Sequence, residues 1–263
     1  MAGTLTAYSE TSRGNLMSGN PQTDFSMEHL MIKFSRVAAA VALALTSGVA
    51  LALPVIDDFS VAQLKIEDTL TGDGVVWAVQ VEGADILGGY RDVYVEKTKL
   101  SNDDTFAGVT AATFNGSLSY NENSEQAGVG VIRWDGISTG GAVNTSGLGG
   151  LDLTAFGSAL NVLVLDADDS SPLTFTVWSG IGYTSSSLTI YSLEGAGSYT
   201  FSFSDFIDAD FTNVGALELQ INNGTGANLD TRIDMVSVVP EPGTLALAGI
   251  ALLGLGAIRR RKS

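Results

Sequence analysis

The chain has 263 residues, room for one large β-domain or two small domains, and its 45% hydrophobic and 16% charged residues exclude a disordered protein. Acids outnumber bases 29 to 13, a formal net charge of −16, and residues 53–242 retain 26 acids and six bases, or about −20. Such a surface repels phosphate backbones and excludes a nucleic-acid partner, while suiting divalent cations and uncharged partners such as sugars.

Residues 1–30 are polar and aperiodic. They read as an over-extended translation start, with Met27 or Met31 as the true initiator, or else as a disordered extension. Residues 31–52, MIKFSRVAAAVALALTSGVALA, place Lys33 and Arg36 before the apolar run Val37–Leu45 and end in Ala50-Leu51-Ala52. A positive start, a short apolar run and a small-x-small site (Ala50 and Ala52) make a secretory signal peptide, too short to span a bilayer and removed by signal peptidase. The only histidine, His29, precedes that cut, and the chain has no cysteine. The mature protein then has neither residue, which excludes Ser-His-Asp and Cys-His catalysis and nearly all zinc, copper and haem sites. Without disulfides, burial or a bound metal must stabilise the core.

Residues 53–238 form short alternating runs broken by Gly, Asn, Asp and Ser. Strands are expected over Val93–Val95, Val129–Trp134, Leu160–Leu165, Leu173–Trp178, Leu188–Tyr191, Tyr199–Phe203, Leu217–Ile221 and Ile233–Val238. The period of two and the spacing near ten residues predict an all-β antiparallel sandwich in one domain, each sheet with one buried and one wet face. The expected architecture is this sandwich flanked by an N-terminal signal helix and a C-terminal hydrophobic helix.

The opening Val55-Ile56-Asp57-Asp58-Phe59, the stretch Gly88-Gly89-Tyr90-Arg91-Asp92 and the closing Leu229–Val236 resemble the galactose-binding-like jelly rolls found among carbohydrate-binding modules. The resemblance implies that the first and last strands meet, often beside a structural calcium. Asp57, Asp58, Asp230 and Asp234 are the residues that would hold it. Asp166-Ala167-Asp168-Asp169 offers oxygen ligands as well, although it lacks the EF-hand spacing and also suits a solvated turn. Gly136-Ile137-Ser138-Thr139-Gly140 matches G-x-S-x-G, yet without a histidine or a strand-turn-helix setting it reads as a loop. Gly147-Leu148-Gly149-Gly150-Leu151 reads as a tight turn entering a strand. Trp77, Trp134, Trp178, Tyr90, Tyr94, Tyr183 and Tyr191 divide between core positions and a sugar-stacking platform, with Tyr183 the expected exposed ring.

The C-terminus, residues 239–263, carries Pro240-Glu241-Pro242, an apolar run Thr244–Ile258, and the basic end Arg259-Arg260-Arg261-Lys262. As a helix the run spans about 22 Å, short of the ~30 Å hydrocarbon core, and snorkelling cations would close the gap. Basic residues stay cytoplasmic, which places the preceding domain across the membrane, in agreement with the signal peptide. This tripartite tail resembles the PEP-CTERM sorting signal of Gram-negative bacteria. The resemblance implies transient anchoring in the inner membrane, cleavage near Pro240-Glu241-Pro242 by an exosortase, and delivery to the cell surface or outside. The reading is an exported non-enzyme, structural or adhesive in a polysaccharide matrix or biofilm. The alternatives are a specific carbohydrate-binding protein of the same fold, or a histidine-free glycosidase working through two carboxylates.

Overall fold

The computed structural model describes residues 55–240, apart from 71, 73, 79, 100–108, 124, 138–140, 169 and 226–227. The signal segment with Ala50 and Ala52, and the tail from Glu241 and Pro242 to Arg259–Lys262, lie outside the described residues, as do both expected flanking helices. Among the described residues no helix is long and apolar enough to cross a membrane.

Fourteen strands form two seven-stranded antiparallel sheets. Sheet one runs β12 (Gly197–Ser202), β9 (Ala159–Ala167), β14 (Asp230–Val239), β7 (Ser117–Glu122), β6 (Val109–Phe114) and β2 (Gln63–Asp68). Its seventh strand, β1 (Val55–Asp57), pairs with β14. Sheet two runs β11 (Thr184–Ile190), β10 (Leu173–Ser179), β13 (Val214–Ile221), β8 (Ala127–Trp134), β5 (Tyr90–Lys99) and β3 (Val76–Trp77), with β4 (Val81–Glu82) also pairing β5. From β8 onward the chain alternates between the sheets, crossing the sandwich at nearly every connection, which is the jelly-roll arrangement. The first and last strands do meet, Val55 opposite Ser237 and Asp57 opposite Val236.

The alternation expected from sequence decides which residues face inward. In β10, Leu173, Phe175 and Val177 are buried while Thr174, Thr176 and Trp178 are half-buried on the outer face. Their inward partners on β13 are Ile221, Leu219 and Leu217. Across the interlayer, Phe175 meets Phe201 of β12 edge-on at 5.0 Å between centroids. Each such side chain contributes about 1.5–3 kcal/mol on burial, enough for a disulfide-free fold of this size. All eight expected strand segments lie on strands, with small differences at their ends. Tyr191 falls just past β11, and Phe203 opens a 3-10 turn, Phe203–Asp205, after β12.

A charged knot closes the core where the terminal strands meet. Arg91 and Asp57 are completely buried. Arg91 Nη1 donates to both Asp57 carboxylate oxygens at 2.9 Å, and its Nη2 donates to the Val61 carbonyl at 2.6 Å. Asp57 also accepts from Trp134 Nε1 at 3.0 Å and from the Phe59 backbone at 2.9 Å. The guanidinium lies over the Phe59 ring, 5.4 Å from its centroid. Both oxygens of Asp57 are thus engaged, and Trp134 is a core residue.

Candidate functional site

The outer face of sheet two is the part of the sandwich that concentrates aromatic, charged and hydroxyl side chains. The strand registers arrange it in rows. The first crosses the sheet from Trp77 and Tyr94 through Val131 and Gln220 to Thr174 and Thr189. The second runs Asp92, Arg133, Glu218, Thr176, Ser187, and the third holds Trp178 opposite both Ala216 and Ser185. With strands about 4.8 Å apart, the first row covers roughly 24 Å.

The polar groups of this face are held in place by one another. Trp77 and Tyr94 pack at 4.4 Å between centroids, tilted by 53°. Arg133 lies over Trp77 at 5.0 Å and donates from Nε and Nη2 to Glu218 Oε2 at 2.8 and 2.6 Å. A half-exposed platform of rings is thereby fixed beside a neutralised ion pair. Burial pushes the Tyr94 hydroxyl up to about 12, with Glu218 adding to the rise, so it stays a neutral donor and acceptor. Further along, Thr174 bonds Thr189 at 2.9 Å and Thr176 bonds Ser187 at 2.8 Å, a ladder of hydroxyls across two strands. Beside the platform, Trp77 lines a groove of about 360 Å³ with Leu64, Ile66, Ala78, Gln80 and Val81 among its walls.

A loop walls one end of the face. Gly149 and Gly150 take positive φ, as the tight-turn reading requires, and Leu151 bridges back to Val214. Asn144 N donates to Asp135 Oδ2 at 2.8 Å, and Gly147 packs so closely that a Cβ there would stand 1.7 Å from the Asp135 carbonyl. Asp135 is buried and its carboxyl is pushed up to about 6, chiefly by burial, with the nearby Asp92 charge adding to the rise. Asp92 in turn accepts from Gln80 Nε2 at 3.0 Å.

The structure places the sequence-level candidates unevenly. The four aspartates assigned to calcium do not assemble into one site. Asp57 is consumed by Arg91, and Asp58 accepts from the Ser60 backbone at 2.9 Å, the bonds from Ser60 holding its carboxyl below the usual range. Asp230 lies six residues along β14 from Val236, the partner of Asp57, or about 20 Å away. It sits instead by Asp168, whose Oδ2 accepts from Asp230 N at 2.9 Å, and burial raises its carboxyl, with repulsion from Asp168 and Asp166 adding to the shift. Asp234 is half-buried on β14. Among the described residues no group of three or more acids or histidines is placed to hold a metal. Tyr183 is half-buried with its ring against Gly215, while Tyr191 is 80% exposed, so the exposed ring is not the one expected. Gly136 turns with positive φ, and Ser138 and Gly140 of the G-x-S-x-G stretch lie outside the described residues. Arg133, Glu218 and Gln220 were not singled out from sequence. Their signal was the charged or amide residue alternating with apolar ones in β8 and β13.

Residues 238–262 match the PEP-CTERM protein-sorting motif, so the chain carries the signal of an exported protein processed by an exosortase. No curated protein matches the chain. Among solved structures it is similar to the family 11 carbohydrate-binding module of the cellulosomal cellulase Lic26A-Cel5E of Clostridium thermocellum. The identity is 11% and the TM-score 0.36, over 73% of this chain and 98% of that one. It is also similar to a family 29 module, a CBM29-2 variant complexed with mannohexaose, at 14% identity and a TM-score of 0.31, over 64% of this chain and 94% of that one.

Proposed function

We propose that the exported sandwich is a non-catalytic component of the cell surface or extracellular matrix of a Gram-negative bacterium, and that it holds polysaccharide on the outer face of sheet two. The observation that carries this reading is the fixed platform of Trp77, Tyr94 and Arg133 beside Glu218, Gln220 and the Thr/Ser ladder. Sugar rings have apolar faces that stack on aromatic side chains, and hydroxyls that exchange hydrogen bonds with carboxylate, guanidinium and amide groups. A flat face with half-exposed rings offers both. The net charge of about −20 over residues 53–242 directs the choice toward neutral or amine-bearing glycans and away from polyanions.

The test is affinity electrophoresis and a glycan array with the parent protein and the variants Trp77→Ala and Tyr94→Ala. Retardation by at least one neutral or amine-bearing polysaccharide is expected. Loss of either ring weakens it by about tenfold, the scale of 1–1.5 kcal/mol for one aromatic contact. Absence of binding across the array, or binding that both variants retain in full, sinks this reading and leaves a passive matrix component.

A further inference from the structure

The sandwich has two open edges, and they are guarded unequally. At one edge, β2 carries Lys65 and Glu67, paired at 2.9 Å, and its register with β6 shifts between Gln63 and Ile66. The neighbouring β3 and β4 are two residues long each. Charge, irregularity and brevity are the devices by which natural sheets prevent edge-to-edge pairing.

The opposite edge has none of them. β11 (TSSSLTI) and β12 (GSYTFS) contain no charged residue and no proline. β11 pairs with β10 over seven consecutive residues without a register shift, and β12 pairs with β9 over six. Among the described residues, the other backbone edge of β11 has no strand against it. Large apolar side chains are exposed around it. Ile181 lies in the turn before β11, Tyr191 directly follows it, and Ile207 sits on the segment whose carbonyl accepts from Ser186 Oγ.

We propose that β11 is a strand-pairing interface for a second copy of this chain. The occupant follows from charge and symmetry. Two bodies near −20 repel wherever their acidic surfaces meet, and β11 is an uncharged strip on which they can approach. A cationic partner has acids to bind elsewhere and no carboxylate to bind on this strand. An antiparallel pair of identical strands about a two-fold axis satisfies both rows of backbone groups equally, and such isologous contacts are the commonest in homo-oligomers. The outward Ser185, Ser187 and Thr189 would extend across the axis the hydroxyl ladder they already form, or border, with β10. Sheet two of each copy would then join its counterpart in one continuous sheet.

The experiment is sedimentation velocity on the processed protein purified from producing cells, from low to high micromolar concentration. A mass that doubles with concentration is expected, and Ser185→Lys/Ser187→Lys raises the dissociation constant by about tenfold or more, as edge lysines do. Single cysteines at 185, 187 and 189 provide a second readout. The chain has no cysteine of its own, so an introduced one bridges only between copies. Facing residues of an antiparallel pair bring their Cβ atoms to about 4.5–5.5 Å, so mild oxidation of these variants, alone and mixed in pairs, should link copies through at least one combination of the three positions, and Leu64→Cys on β2 should not. A monomer at every concentration overturns the proposal, whether another part of the chain or another partner covers β11. A dimer untouched by the lysines, or one linked through position 64 instead, overturns it equally.

Discussion

Replacing Arg91 by Met tests the claim that the charged knot, and not merely apolar burial, closes the terminal strands onto the core. The substitution conserves most of the side chain's length but strips Asp57 of its cation. Asp57 keeps its bonds from Phe59 N and Trp134 Nε1, two of the four it accepts in the parent. Breaking a buried pair by removing one partner costs about 3–5 kcal/mol. The surviving bonds put the expected loss near the low end, about 3–4 kcal/mol, or roughly 10 °C in midpoint for a domain of this size. Adding Asp57→Asn, which removes the charge while keeping an acceptor for the indole, should recover about 2 kcal/mol at pH 7. Urea unfolding followed by tryptophan fluorescence gives all of these values. A loss under 1 kcal/mol for Arg91→Met, or no recovery on adding Asp57→Asn, would refute the reasoning.

Two further outcomes are expected. The Asp135 carboxyl is raised from 3.8 to about 6 by burial, with Asp92 adding to the shift, so its stabilising contribution is complete below about 3.8 and vanishes as pH rises through 6. The shift corresponds to at most about 3 kcal/mol; thermal melts should show this contribution to the midpoint being lost between about pH 4 and 6.5, and Asp135→Asn should remove that loss, an equal pH dependence in both counting against the account. Exchanging Pro240-Glu241-Pro242 for alanines should leave the precursor uncut in the membrane fraction, and unchanged processing and location would contradict the assigned role of the tail.

Much of the fold was legible because its causes are local. Period-two runs such as Leu173–Trp178 and Ile233–Val238 record burial on one face of a strand, and the termini are recognised by the order of charge, apolar run and small residues. The shorter or more polar strands β2, β3, β6 and β7 escaped notice. Lys65, Asn121 and the Ser/Thr positions carry little apolar signal, and partners in the register hold these strands in place. The outer face of sheet two was illegible for the same reason. Trp77 meets Tyr94, and Arg133 meets Glu218 from 85 residues away, only because β3, β5, β8 and β13 lie side by side. For the aspartates, proximity of two strands does not bring their side chains together. β1 does reach β14, but Asp57 turns inward to Arg91 and Asp230 stands at the far end of the strand.

β14 is the last strand among the described residues, yet it lies inside sheet one, joining β9 on one side to β7 and β1 on the other, and its final two residues already belong to the sorting motif. Without β14, sheet one would fall into two unjoined parts, β12–β9 and β7–β6–β2, so the sheet closes only when its final strand is in place. Because Ser158 N ties down the Val239 carbonyl, the strand is fixed to the body as far as the first residues of the sorting motif.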